Sequence, residues 1–282
     1  TTSPELFTSV IAALHGYPEM ALGNAVGSVI VDASLALGIA ALVSTVPLTV
    51  DPAIFRISAR TVLVVLALAF ILVLNGTLER MEGLALLVCY CTYILILYRH
   101  FRIRRKDSEV DSLLVQECVP KDEATIKWPR VILLFGLGLA GVLIGSELLV
   151  QGAVGLAVEM GLSPVVIGLT VTALGTSMPE IATCVAAALK RESAIGVGNI
   201  IGADILNICW VAGLSAVVNP LTAELHVLLF MFPAALLIVS TMVILLRQGY
   251  NLRRWNGAVL VALYIVYAVI LFSFVSPVNA AL

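Results

Sequence analysis

Apolar runs follow one another along almost the whole chain, near residues 1–14, 18–43, 57–76, 82–98, 130–152, 162–189, 194–218, 222–246 and 255–275. Runs of roughly 17 to 25 such residues are long enough to cross a bilayer as helices. Only 12% of the residues are charged and the mean hydropathy is +1.09, whereas soluble chains carry about a quarter charged residues. A cleaved leader accounts for one run, not for nine. The chain is therefore expected to be all-α, a polytopic helical membrane bundle whose first run is too short to span alone.

Basic residues sort the connections into two sets. Arg56 and Arg60 precede the third run, and eight Lys or Arg lie in or beside the 99–130 loop. Lys190, Arg191, Arg247, Arg253 and Arg254 follow the sixth and eighth runs. With alternate connections on alternate faces, fifteen of the sixteen fall on one face, and Arg80 alone on the other. Cytoplasmic loops carry that excess, so a multi-pass protein of the cell membrane is expected, with the 99–129 loop inside and the C-terminus outside. The same loop divides the chain into 1–98 and 130–282. Its basic start is read as a positive-inside linker, with contact to anionic lipid as the alternative.

The two halves repeat. A shift of 175 aligns Pro4 with Pro179, Glu5 with Glu180, Gly23-Asn24 with Gly198-Asn199, Gly27 with Gly202, Asp32 with Asn207 and Gly38 with Gly213. Each copy reads Pro-Glu, an apolar helix, a short turn, then G-N-x-x-G-[SA]-x-x-x-[DN]. The charge-derived topology runs the segment of Asp32 inward and that of Asn207 outward, so the repeats have inverted topology. Inverted repeats with helices interrupted at matching points are the sequence pointer to a secondary transporter's central site.

Residue chemistry gives the ligand class. Pro179 has no N–H, so the carbonyl of Gly175 loses its helical donor. In lipid such a group must be satisfied or line a polar cavity. Glu180 and Asn207 lie 27 residues apart on consecutive antiparallel helices, as do Glu5 and Asp32. A hairpin brings each pair to a similar depth. A charge at the bilayer centre costs about 2.5–3.5 kcal/mol even on insertion scales, and no Lys or Arg lies within the runs to offset it. The counter-charge is then a cation. Oxygen donors without His or thiolate suit Ca²⁺ or Na⁺ rather than Zn²⁺ or copper. Thr1, Thr2, Thr176 and Ser177, just before the glutamates, offer hydroxyls or serve helix packing. An empty site with up to three carboxylates is too negative to cross an apolar gate, so only loaded states switch access, and exchange follows.

The stretches "ALGTSMPEIATCVAAAL…GVGNIIGADILNI" and "TTSPELFTSVIAAL…ALGNAVGSVIVDA" resemble the two α-repeats of the cation/Ca²⁺ exchanger superfamily, most of all its prokaryotic sodium/calcium exchangers. The resemblance implies ten helices in two inverted groups of five, here with the N-terminal helix and a half missing. It implies Ca²⁺ exchange for Na⁺ by alternating access, with a proton-coupled or potassium-dependent exchanger as the alternative. Glu5, Asp32, Glu180 and Asn207 match the family's central ligands, and Thr1, Thr2, Ser28, Ala173, Thr176 and Ser177 its hydroxyl and carbonyl ligands. Two departures stand out. Ala203 occupies a position where Ser is common, and the Asp and Asn positions are exchanged between the repeats.

Four further residues carry open readings. Asp204, whose mate is Val29, is an auxiliary cation or proton site or a partner of a Ser/Thr. Glu147 is a proton relay or a hydrogen-bonded interior acid. Asn24 and Asn199 line the pathway or cross-link helices, and the glycine pairs 23/27 and 198/202 permit close packing. The cysteines, Cys118 included, lack metal-like spacing. Neither an intramembrane hydrolase nor a channel fits as well, since the acids are repeat-related glutamates within one chain. The expected ligands are Ca²⁺ and Na⁺ or H⁺ in a lipid bilayer, without cofactor, nucleic acid or obligate protein partner.

Overall fold

The computed structural model describes residues 1–107, 128–161, 164–222 and 225–274, so Cys118, most of the 99–129 linker and the C-terminal stretch lie outside the described residues. Ten helices are named here in chain order: α1 Ser3–Leu14, α2 Pro18–Val43, α3 Pro52–Leu72, α4 Arg80–Asp107 and α5 Trp128–Met160. They continue with α6 Gly168–Thr176, led in by Pro164–Ile167, then α7 Met178–Leu189, α8 Ser193–Val218, α9 Leu225–Arg247 and α10 Arg254–Phe274. Seven are long and apolar enough to cross a membrane. Helices α6 and α7 together meet the same length and hydropathy requirement as a pair bent by 49° at Ser177, and α1 is a shorter apolar helix. The expected nine segments and the helical membrane bundle are thus observed.

Chain punctuation explains the ends. Pro4, Pro18, Pro52 and Pro179 each sit in the first turn of a helix, where the missing N–H costs nothing. Asp51 caps α3, its carboxylate accepting from the N–H groups of Ala53 at 2.7 Å and Ile54 at 3.1 Å. Gly16 and its repeat mate Arg191 both turn the chain through the left-handed region, with φ of 83° and 63°. One boundary differs from expectation. Helix α4 continues to Asp107 instead of yielding to a loop at residue 99, because "RHFRIRRKD" consists mostly of residues that favour helix and extends it as a charged end.

Four two-residue strands bind the halves together. β1 (Leu48–Thr49) pairs antiparallel with β4 (Asn251–Leu252), and β2 (Thr77–Leu78) pairs with β3 (Leu221–Thr222). The repeat shift relates the two pairs to within two residues, Thr77 plus 175 falling on Leu252 and Leu48 plus 175 just past Thr222. The pairing also gathers loops by face. The turn before α8 joins the β1–β4 face, the N–H of Thr49 donating to Ser193 Oγ at 3.0 Å. On the opposite face, Thr222 Oγ1 donates to Glu19 Oε1 at 3.0 Å and Asn219 Nδ2 to the Ala13 carbonyl at 2.9 Å. The short described connections thus gather into two sets.

The halves also exchange helices. The second part of α2 packs on α10 of the other half, and the second part of α8 packs on α4. Both crossings run backbone to backbone at glycine: a Cβ at Gly257 would lie 2.7 Å from the Gly38 carbonyl, and one at Gly83 would lie 2.6 Å from that of Gly213. Gly27 likewise abuts Leu169 and Ala173 of α6. At Gly198 and Gly202 no described neighbour lies within 4 Å of an added Cβ. Gly83→Val should therefore destabilise the fold by about 1–3 kcal/mol, seen as a lowered melting midpoint in detergent, whereas Gly141→Ala, which meets open space, should leave the midpoint unchanged.

Candidate cation site

The half-helices α1 and α7 begin at the centre of the bundle, each with its Pro-Glu pair in the first turn. A helix N-terminus carries partial positive charge and unpaired N–H groups, so it tolerates a carboxylate there. Glu5 and Glu180 are both fully buried. Helices α2 and α8 supply Asp32 and Asn207, also fully buried, each at the point where the helix widens into a π-turn. These turns span Asp32–Ala36 and Asn207–Ala212. A third, Gly168–Thr172, precedes the break at Ser177. Such turns interrupt the i→i−4 ladder and frequently sit at functional sites.

Glu5, Asp32 and Glu180 lie within electrostatic range of one another. Both oxygens of Glu5 and Asp32, Glu180 Oε2 and both amide atoms of Asn207 are buried without a hydrogen-bond partner. Leaving even one neutral buried polar atom unpaired costs about 1–3 kcal/mol, and a charged one more. No Lys, Arg or His side chain pairs with any of them among the described residues. Nor, among the described residues, do three Asp, Glu, His or Cys side chains draw close enough to enclose a metal by themselves. A cation held here must therefore draw on hydroxyls, carbonyls and the Asn207 amide as well.

Hydroxyls stand close by. Thr2 Oγ1 donates to Glu180 Oε1 at 3.4 Å, and Ser28 and Thr176 share a 3.5 Å contact. Thr176 Oγ1 also reaches the carbonyls of Thr172 and Ala173 at 3.1 and 3.3 Å. Ser177 Oγ sits beside the Asp32 carboxylate. The Ala173 carbonyl accepts from the Ser177 N–H at 3.0 Å and is buried. Thr1 is exposed and engages Asn199, with contacts of 3.5 and 3.3 Å.

The two asparagines diverge. Asn24 is buried and ties three elements: its Nδ2 donates to the Glu5 carbonyl at 3.3 Å and to Ser9 Oγ at 2.9 Å, and its Oδ1 accepts from Thr176 at 3.1 Å. It is a cross-link, whereas Asn199 remains at the exposed edge with Thr1. Asp204 is fully buried, near Asp32, with neither oxygen bonded, so the expected alternative of a Ser/Thr partner is not observed. Glu147 is not an interior acid. Its side chain is 36% exposed, accepts from Gln151 at 2.7 Å and lies 3.8 Å from His15, because only one edge of α5 packs against α1. The sequence reading missed Thr8, Thr172 and Ser215, buried hydroxyls without partners. Their only signal was a polar residue in an apolar run.

Fold and site together define a multi-pass membrane transporter of the inverted-repeat kind, not an enzyme. The sequence matches the profile of the "Sodium/calcium exchanger protein" family over residues 1–99 and 130–273, and the chain belongs to that family. It is 34% identical to the inner membrane protein YrbG of Escherichia coli over 99% of this chain and 84% of that one. It is 28% identical to the sodium/calcium exchanger MaX1 of Methanosarcina acetivorans over 96% and 85%. The solved structure of the sodium-calcium exchanger NCX_Mj superposes with a TM-score of 0.65 at 28% identity, covering 94% of this chain and 81% of that chain.

Asn24→Ala removes two donors and an acceptor from a buried network. It should lower stability by about 1–3 kcal/mol, measured by thermal unfolding in detergent, with Asn199→Ala close to neutral.

Proposed function

We propose that this protein is a secondary antiporter that exchanges Ca²⁺ for Na⁺ by alternating access, with Glu5, Asp32, Glu180 and Asn207 as its central ligands. The observation that carries this reading is the set of three mutually repelling, fully buried carboxylates with no cationic side chain to offset them. Ca²⁺ takes about six to eight oxygens, and the hydroxyls of Thr2, Ser28, Thr176 and Ser177 with the Ala173 carbonyl supplement the four side chains. Thr1 contributes from the rim. The names of MaX1 and NCX_Mj as sodium/calcium exchangers support the same cargo.

Mechanistically, the pseudo-twofold repeat offers two equivalent arrangements around one site. Two inverted halves that swap conformations open the site first to one face and then to the other. Sealing the empty site would leave three carboxylates uncompensated in low dielectric, so the sealed state requires bound cations. One Ca²⁺ or several Na⁺ meet that need in turn, which couples their movements in opposite directions. The excess of Lys and Arg supports a cytoplasmic 99–129 loop, with the two remaining segments, 1–98 and 130–282, as the exchanging halves.

Reconstituted protein should take up radiolabelled Ca²⁺ when vesicles are loaded with Na⁺, and Glu180→Gln and Glu5→Gln should each abolish uptake. A pH gradient imposed without Na⁺ should drive none. Uptake driven by the pH gradient alone would replace Na⁺ with H⁺ as the coupling ion, and uptake with neither gradient would sink the antiporter reading. Asn207→Ala, which removes a neutral donor and not a charge, should weaken the apparent Ca²⁺ affinity on the order of tenfold, the equivalent of about 1.4 kcal/mol, while sparing the maximal rate.

A further inference from the structure

His15 and Glu147 meet at the far end of α1 from Glu5, outside the central site. His15 closes the C-terminal end of α1, and Glu147 stands on α5, which packs against α1. Their Nδ1 and Oε1 atoms lie 3.8 Å apart, with the side chains 45% and 36% exposed. A charge-assisted hydrogen bond would bring such atoms to about 2.7–2.9 Å, so this pair stops short of one. Gln151, one turn further along α5, donates from Nε2 to Glu147 Oε1 at 2.7 Å and so holds the carboxylate. Beside the pair opens a cavity of about 520 Å³, lined in part by His15, Tyr17 and Gln151. The connections gathered on this face by β2 and β3 carry Glu19, Glu79 and Glu82 against Arg80, a balance that favours the approach of cations.

We infer that His15 and Glu147 form a binding site for a divalent transition metal of the Zn²⁺ class, bridging the first half of the chain to the second. The spacing carries the inference. Zn²⁺ holds imidazole nitrogen and carboxylate oxygen at about 2.0–2.2 Å. Two such donors 3.8 Å apart subtend about 130° at a shared ion, and an approach of about 0.4 Å gives the tetrahedral angle. The imidazole selects the class of metal, since nitrogen donors suit Zn²⁺ and its neighbours, whereas Ca²⁺ and Na⁺ prefer all-oxygen sites. The adjoining cavity leaves room for water at the remaining positions. Gln151 orients the carboxylate, as hydrogen bonds to metal ligands commonly do. The site is one-sided, because the repeat mate of His15 is Lys190, whose ammonium has no lone pair to offer a metal. A bound metal ties the end of α1 to α5 and would slow the movement of one half against the other. That consequence rests on the proposed exchange function; the site itself does not.

Equilibrium binding of radiolabelled Zn²⁺ to the purified full chain in detergent tests the site, with excess Ca²⁺ present to occupy the central carboxylates. Wild type should bind Zn²⁺ at a site that His15→Ala and Glu147→Gln each weaken by at least about tenfold, and Gln151→Ala by about tenfold through lost orientation. These side chains are partly exposed, so the metal-free melting midpoint of each variant should match wild type, which separates a lost ligand from a damaged fold. Unchanged Zn²⁺ affinity in both His15→Ala and Glu147→Gln, or no Zn²⁺ bound by wild type, overturns the site. In vesicles, Zn²⁺ should slow Na⁺-driven Ca²⁺ uptake by wild type and spare His15→Ala, and an equal effect on both refutes the bridge between halves. Failure of wild type to take up Ca²⁺ without Zn²⁺ would instead refute the exchange reading, and the binding measurements would still decide the site.

Discussion

The structure depends on carboxylates that the protein buries without neutralising. Glu5, Asp32 and Glu180 lie within range of one another in the middle of an apolar bundle, with no Lys or Arg beside them. Charge in a low-dielectric interior is costly unless paired, so a structural role would be better served by Ala or Leu. Much of the local architecture moderates that cost in part. Half-helix N-termini point their partial positive charge at the two glutamates, the hydroxyls of Thr2 and Ser177 stand beside Glu180 and Asp32, and π-turns open the backbone where Asp32 and Asn207 project. None of these completes the compensation, and the remaining deficit is what the proposed cation would satisfy.

Holding such a site demands rigid surroundings that still permit two arrangements. The halves are interlocked, not merely side by side, because each lends the end of one helix to the other. The crossings at Gly38 with Gly257 and at Gly213 with Gly83 bring backbones to contact without intervening side chains. In a bilayer, where the hydrophobic effect does not drive helices together, close packing of this kind supplies the adhesion. The small antiparallel β-pairs add hydrogen bonds between the same two halves at both faces. Helix α5 buries one edge through Ser146, Val150, Ala153 and Ala157 and packs on α1 and the start of α6.

Much of this was legible because hydropathy and repetition are coarse signals that survive without tertiary context. Nine segments, their alternation, the Pro-Glu breaks and the four central positions all follow from apolar length, charge sorting and a shift of 175. Other features depend on contacts between distant parts of the chain. The π-turns at Asp32 and Asn207 leave no residue signature, since any helix-forming stretch can accommodate one extra residue when its neighbours require it. The exchange of helices between halves rests on glycines that read equally well as packing within a half. The edge of α5 on which Glu147 lies is likewise set by contacts that periodicity within one apolar run does not reveal.

Symmetry of fold and asymmetry of chemistry are separate properties here. The repeat relates Asp32 to Asn207, and interchanging such a pair would preserve the number of carboxylates at the centre, since the site sums charge over both halves. Stoichiometric capacity is then insensitive to which repeat holds the acid. Asn24 and Asn199 diverge more deeply, one buried in a three-element network and the other at the edge with Thr1. Asp204 against Val29 goes further still, because it changes the total charge itself. In the proposed exchange cycle the inverted repeat supplies two equivalent conformations, and that sum sets the ions that would accompany each change. A single substitution on one half can therefore alter coupling without altering the architecture that performs it.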